Sequence, residues 1–115
     1  FGLPGSETVM LPWIELDRAP VPLELLPEVA AAVGDRTEVL MDGGVRTGAD
    51  VVAAVALGAK AVMVGRAYLY GLMAGGQAGV QKVVDILTEE VTRTMQLLGV
   101  TAIDQLDATY ARLRK

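Results

Sequence analysis

The chain has 115 residues, of which 52% are hydrophobic and 21% charged, and its formal net charge is −4. An acidic balance without a basic stripe argues against nucleic-acid binding. The absence of cysteine excludes disulfides and thiolate chemistry, and the absence of histidine removes the commonest general base and metal ligand. We therefore predict no metal site and, with no signal-peptide pattern, a cytoplasmic location.

A mean hydropathy of +0.42 is high for so short a chain. No apolar run approaches the ~18 residues of a membrane span, so we predict no transmembrane segment. The apolar excess instead predicts surfaces that missing strands or a partner would cover. Alone, the chain is expected to form homo-oligomers or to aggregate, and its first residue, Phe1, suggests part of a longer chain.

The hydrophobic pattern predicts an alternation of strands and helices. Residues 1–17 are irregular, with one strand at 8–11, and residues 18–22 form a turn-like linker. The later elements are expected at residues 23–33 (helix), 38–41 (strand), 51–57 (helix), 61–64 (strand), 68–72 (helix) and 80–98 (helix). Gly75 and Gly76 should separate the last two of these helices. Thr101 and Asp104 could cap a final short one.

A glycine-rich loop follows the strand at 38–41, with the sequence Asp42-Gly43-Gly44-Val45-Arg46-Thr47-Gly48. Glycines allow a phosphate close to the backbone, a helix start offers free N–H groups, and arginine adds a planar fork of donors. Thr47 and Asp50 are spaced as a capping box for the following helix. The loop therefore predicts an anion site, although a glycine-rich turn that binds nothing has the same pattern.

A second loop strengthens this prediction. The strand at 61–64 ends in Gly65-Arg66, so two consecutive βα units each end in a glycine and an arginine. The carboxyl ends of neighbouring parallel strands meet at one edge of a sheet. Paired loops of this kind match the phosphate site after the last two strands of a (β/α)8 barrel. We predict a phosphate-containing ligand.

These motifs resemble the FMN-dependent α-hydroxy acid dehydrogenases and oxidases, the family of glycolate oxidase, lactate oxidase, and L-lactate and mandelate dehydrogenases. The resemblance is carried by the Asp42 loop, Gly65-Arg66 and the tract Gly75-Gly76-Gln77-Ala78-Gly79-Val80, and it runs from about residue 16 to residue 106. Residues 67–73 look most like bacterial lactate-dehydrogenase-type members, including the one associated with mycofactocin.

The resemblance implies an α/β fold formed by the last two βα units and C-terminal helices of a (β/α)8 barrel. Residues 18–115 would be this C-terminal part. It also implies FMN as cofactor and, in full-length relatives, a small 2-hydroxy acid such as lactate as substrate, oxidised to the 2-oxo acid. The residues expected to hold FMN are Asp42, Gly43, Gly44, Arg46, Gly65 and Arg66.

The N-terminal segment departs from the family pattern. A catalytic histidine and a carboxylate-binding arginine belong to the family motif Ser-Asn-His-Gly-x-Arg-Gln-Leu-Asp. Counting back from Leu16-Asp17, those two positions are Leu11 and Ile14, which can neither take a proton nor bind a carboxylate. Residues 1–17 thus replace the family's catalytic strand and loop, so we predict no catalytic residue and an inactive chain.

Two alternatives stay open at the level of sequence. The chain could be a non-catalytic, self-associating remnant, since a quarter of a barrel leaves strand edges and apolar helix faces uncovered. It could also come from another FMN- or phosphate-binding barrel, such as the IMP dehydrogenase-like or type 2 isopentenyl-diphosphate isomerase groups. The 68–73 and 75–80 tracts fit those groups less well, and the first group requires a cysteine.

Overall fold

A computed structural model describes residues 8–11, as backbone, and residues 21–114. Strands and helices alternate along the chain. They are β1 (Thr8–Leu11), α1 (Pro22–Val33), β2 (Glu38–Asp42), α2 (Gly48–Ala56), β3 (Ala61–Met63), α3 (Arg66–Leu98) and a 3-10 helix (Ile103–Gln105). The predicted α/β class is confirmed. The proposed boundary between residues 17 and 18, and Ile14, lie outside the described residues.

The described strands form a parallel sheet in the order β1-β2-β3. A helix connects each strand to its sequence neighbour, which is the connection that parallel strands require. Met10 of β1 pairs with Leu40 of β2, and Leu40 pairs in turn with Ala61 of β3. All three strands therefore end at the same edge of the sheet.

The helices cover one face of this sheet. Val39 and Met41 are 1% and 2% exposed and belong to one buried cluster with Leu26 of α1 and Ala54 of α2. Because side chains alternate along a strand, Leu40 and its β3 partner Ala61 point to the opposite face. Ala61 is exposed and Leu40 only partly buried, so the described residues leave this second face largely uncovered.

Helix α2 begins three residues earlier than the apolar pattern predicted. The Thr47 hydroxyl accepts a hydrogen bond from the Asp50 N–H at 3.3 Å, and the Asp50 carboxylate accepts one from the Thr47 N–H at 2.9 Å. The capping box predicted from the spacing is thus confirmed, and it allows helical geometry from Gly48 onward. At the other end, Gly58 has φ 113°, as expected of a glycine that terminates a helix.

Helix α3 contains both helices predicted after β3, joined through a bend. Gly75 and Gly76 have non-helical backbone angles, including φ 58° at Gly76, so the predicted break is confirmed although the helical arms are longer than predicted. The arms contact each other at two further glycines. A Cβ at Gly71 or Gly79 would collide with the other residue's backbone carbonyl, and this crossing was not predicted.

The short helix after α3 is capped by a different residue from the one predicted. α3 ends at Leu98, the predicted last residue, and Gly99 follows it with φ 71°. The prediction that Asp104 and Thr101 cap the next helix is wrong, because the Gln105 side chain accepts hydrogen bonds from the N–H groups of Thr101 and Ala102. Farther on, the Thr109 hydroxyl and N–H donate to Asp107, which lowers the pKa of that carboxyl.

Candidate functional site

A cavity of about 570 Å³ lies at the carboxyl ends of β2 and β3. Its lining comes from the loop after β2, the end of β3 and the first turns of α3. The lining residues are Asp42, Gly43, Gly44, Val45, Arg46, Met63, Gly65, Arg66, Ala67 and Tyr70. All six residues predicted to bind the cofactor are among them, so the structure brings the two predicted loops together around one space.

The loop after β2 combines a buried anchor with two glycines in unusual conformations. Gly43 and Gly44 have φ values of 103° and 80°, a region that residues with a Cβ rarely adopt. Val45 is 7% exposed and belongs to the main core cluster. Arg46, the next residue, is exposed. The loop is thus fixed to the core at Val45 while Arg46 stays accessible at the cavity.

The N-terminus of α2 offers only one N–H group without a described partner, that of Ala49, and not the set of free groups that we expected from the sequence. The N–H groups of Arg46 and Thr47 donate to the Asp50 carboxylate at 3.0 and 2.9 Å. The Gly48 N–H donates to the Glu90 carboxylate at 2.7 Å. Two carboxylates of the chain therefore occupy the position at which an external anion would bind this helix, and the expectation was wrong.

The N-terminus of α3 is open by comparison. Gly65 precedes this helix and carries no capping side chain. The first N–H groups of a helix have no partner within the helix. Those of Arg66, Ala67 and Tyr68 donate to no other described residue. Because Gly65, Arg66 and Ala67 line the cavity, the free donors lie beside the space that a ligand would fill.

The two arginines of the cavity are not paired with carboxylates of the described residues. Arg36 and Arg93 each form an ion pair, with Asp35 and Glu89 respectively. Arg46 and Arg66 form no ion pair and no side-chain hydrogen bond with any described residue, and both are exposed. Two guanidinium groups are thus available to an anion in the cavity.

Tyr70 adds an aromatic side chain to the same wall. It lies four residues after Arg66, and residues at this spacing are neighbours on a helix surface. The sequence favoured a packing role for the tyrosines over stacking on a ligand or hydrogen bonding to it. Tyr70 is 62% exposed and lines the cavity, so within the described part of the chain it contributes to the cavity wall rather than to the core.

Glu90 and Gly48 form a contact that the sequence did not indicate. They are 42 positions apart in the chain. Gly48 is buried, and a Cβ there would collide with the backbone of Glu90 and Val91. No local pattern could have predicted this contact, since it depends on how α2 and α3 pack against each other.

The known proteins that match this chain point to one family of FMN-dependent enzymes. The FMN-dependent dehydrogenase family matches residues 15–113. A Mycobacterium tuberculosis protein provisionally named L-lactate dehydrogenase is 60% identical over 84% of this chain and 23% of its own length. Pre-mycofactocin synthase of M. tuberculosis is 56% identical over 79% of this chain and 23% of its own length.

Solved structures give the same result. The crystal structure of the monotopic membrane protein (S)-mandelate dehydrogenase superposes with a TM-score of 0.87 at 40% identity, covering 96% of this chain and 30% of that one. The chain thus spans about a quarter of the length of the curated relatives it matches. The IMP dehydrogenase-like and isomerase alternatives are set aside, because the matching family, its cofactor and the motifs agree: the chain belongs to the FMN-dependent dehydrogenase family.

Proposed function

We propose that this chain is the FMN-phosphate-binding part of a hydroxy acid dehydrogenase or oxidase. The observation that carries the proposal is the cavity at the carboxyl ends of β2 and β3. There, two arginines that pair with no described carboxylate lie beside the open N-terminus of α3. Its volume is within the range of about 300–1,000 Å³ typical of small-molecule sites. The family uses FMN, and the phosphate of FMN is the anion that such donors would bind.

The cavity residues fit a phosphate group in several respects. The N–H groups at the start of α3 and the guanidinium of Arg66 would donate to it from one side, and Arg46 from the loop after β2. Gly65 has φ −107°, which any residue can adopt, and a Cβ there would meet no atom within 4 Å. Neither backbone geometry nor packing within the described residues requires this glycine, so its missing side chain leaves space for the ligand.

Asp42 has a different role in the proposal. It ends β2, lines the cavity and forms no side-chain hydrogen bond with another described residue. A carboxylate next to a phosphate would be repelled, whereas it accepts hydrogen bonds well from hydroxyl groups. We therefore assign Asp42 to the ribityl hydroxyls of FMN and the two arginines to the phosphate.

The sheet supports placing the units β2-α2 and β3-α3 at the end of a (β/α)8 barrel. Purely parallel sheets occur almost only with both faces covered, and here the described residues leave the face bearing Leu40 and Ala61 largely uncovered. In the proposed barrel, β2-α2 and β3-α3 are the last two units, and further strands would cover that face. The phosphate site of such barrels lies after the last two strands, and the cavity lies after β2 and β3.

The chemistry proposed for the whole enzyme is oxidation of a 2-hydroxy acid, as the names of the lactate- and mandelate-dehydrogenase relatives suggest. Bound FMN would supply the two-electron acceptor. This chain would bind and orient it, but would not move the substrate proton. Leu11 ends β1 at the position of the family's base, and the chain has no histidine. We therefore propose a cofactor-binding part without catalytic residues; its cytoplasmic location stays a prediction.

A titration of the purified chain with FMN and with riboflavin tests this proposal. Arg46→Ala and Arg66→Ala should each weaken FMN binding about 10- to 100-fold, because a charge-assisted hydrogen bond contributes about 1.5–3 kcal/mol. The double variant should abolish binding. Arg36→Ala removes an exposed, paired arginine outside the cavity and should bind FMN like the parent chain. Unchanged FMN affinity in the double variant would contradict the assignment.

A second candidate is a self-associating remnant without cofactor. The observation that favours it is the exposed apolar surface on the first arm of α3 and on β3. Met73 is 74% exposed, Leu72 48% and Met63 42%. Sedimentation velocity at several concentrations distinguishes the candidates. A monomer that unfolds cooperatively contradicts the remnant, whereas large species without FMN binding contradict the cofactor proposal.

A further inference from the structure

We infer that Glu90 is a positioning residue that fixes the loop at residues 42–46 relative to the Gly65–Arg66 side of the cavity. This inference rests on the proposed FMN site and adds a residue that does not line the cavity. The carboxylate of Glu90 accepts a hydrogen bond from the Gly48 N–H at 2.7 Å, in a partly buried position. Among the described residues, it is the only hydrogen bond between α3 and the start of α2.

The contact leaves little freedom at the start of α2. Gly48 is buried, and its α-carbon lies so close to the backbone of Glu90 and Val91 that no side chain fits between them. On the other side of Gly48, the Asp50 carboxylate holds the N–H groups of Arg46 and Thr47. The backbone of Arg46 is therefore connected through α2 to Glu90 by a continuous set of short contacts.

The same helix connects Glu90 to the other side of the cavity. Arg66 and Glu90 both belong to α3, on opposite sides of its bend. The two arms contact each other at Gly71 and Gly79, where neither glycine has room for a Cβ. Because that crossing holds the arms together, a residue that attaches α2 to the second arm also sets the distance between Arg46 and Arg66.

The hydrogen bond of Glu90 has a second consequence. Together with Asp50, Glu90 occupies N–H groups at the N-terminus of α2, the end of a helix that favours anions. An external phosphate is thereby kept from α2 and has the open N-terminus of α3 as its helix partner. Glu90 thus contributes both to the distance between Arg46 and Arg66 and to which helix N-terminus binds the phosphate.

Three variants of the full chain test the inference. Glu90→Ala removes the acceptor and should weaken FMN binding by about tenfold, the change that about 1.4 kcal/mol produces. Glu90→Gln keeps a carbonyl oxygen that can accept from Gly48 and should restore most of the affinity. Glu89→Ala is the matched control, since Glu89 is exposed and pairs only with Arg93 among the described residues. Parent affinity in Glu90→Ala, or no rescue by glutamine, would overturn the role of Glu90.

Amide hydrogen exchange by NMR, without any cofactor, separates this inference from the proposed function. In Glu90→Ala, exchange should accelerate at Arg46, Thr47 and Gly48 and stay slow in β2. Equal acceleration at Val39 and Met41 would mean that Glu90 only supports global stability, and no change at residues 46–48 would mean that it holds nothing. If the parent chain binds no FMN but shows the local acceleration, the FMN proposal fails and the attachment of α2 by Glu90 stands.

Discussion

At the scale of single residues, the glycines of the two loops are glycines for different physical reasons. Gly43 and Gly44 are required by positive φ angles, and Gly48 by its contact with the backbone of α3. Neither reason applies to Gly65 within the described residues. Since neither the backbone angle nor packing requires a glycine at this position, a ligand is the best reason for the missing side chain.

Gly65→Ala tests that reasoning directly. The alanine should leave the midpoint of thermal unfolding nearly unchanged, since φ is −107° and no atom lies within 4 Å of the new Cβ. It should weaken FMN binding, because the methyl group enters the space proposed for the phosphate. Calorimetric titration and a thermal melt measure the two quantities.

The control is Gly75→Ala. Gly75 also has open space around it and φ −155°, yet it lies at the bend of α3 and does not line the cavity. It should bind FMN like the parent chain. Equal FMN affinity in Gly65→Ala and Gly75→Ala would show that the space at Gly65 is not used by the phosphate.

At the scale of elements, the sequence predicted most of the fold because the relevant signals are local. Short apolar runs gave β2 and β3 to within one residue, and the spacing of Thr47 and Asp50 gave the capping box of α2. Six of the ten residues that line the cavity were predicted, because the resemblance points to them and because parallel strands bring their carboxyl ends together. Contacts between distant segments could not, since neither Glu90 with Gly48 nor Gly71 with Gly79 has a local pattern.

The expectation that failed at α2 has the same cause for the Gly48 N–H, whereas the Arg46 and Thr47 N–H groups are held locally by Asp50. A helix start after a glycine loop is by itself a favourable anion site. Whether its N–H groups are free depends on what packs against it, and Glu90 comes from an element 42 positions away. The open N-terminus of α3 could not be distinguished from that of α2 without the packed structure.

The crossing within α3 gives a prediction for stability. Gly79→Ala places a Cβ against the carbonyl oxygen of Gly71 and should force the two arms apart. We expect the free energy of unfolding to fall by about 1–3 kcal/mol, the usual cost of overpacking. Urea unfolding followed by circular dichroism measures it.

Gly75→Ala serves as the control here as well, because it changes a glycine of the same helix without a clash. If Gly79→Ala were as stable as that control, the two arms would not pack as closely as the structure shows.

At the scale of the whole molecule, the uncovered face of the sheet dominates the expected behaviour. β3 is an edge strand among the described residues, and its Ala61 is exposed beside the partly buried Leu40. Exposed edges and apolar sheet faces favour association with other chains. The chain alone should therefore associate with increasing concentration.

Ala61→Lys should reduce that association, because a charged side chain on an edge strand hinders pairing between sheets. Ala31→Lys makes the same change on an exposed position of α1, outside the sheet, and should leave association as in the parent chain. Sedimentation velocity of the parent and both variants compares their weight-average masses. Equal masses for all three would place the association surface elsewhere.

The number of strands in the described sheet also limits how a complete barrel can be assembled. Copies of a unit that contributes three parallel strands make sheets in multiples of three, and eight is not such a multiple. Copies of the three described strands alone therefore do not add up to the eight strands of the proposed barrel. Mixing this chain with segments from the N-terminal part of a relative tests whether strands of different sequence complete the site.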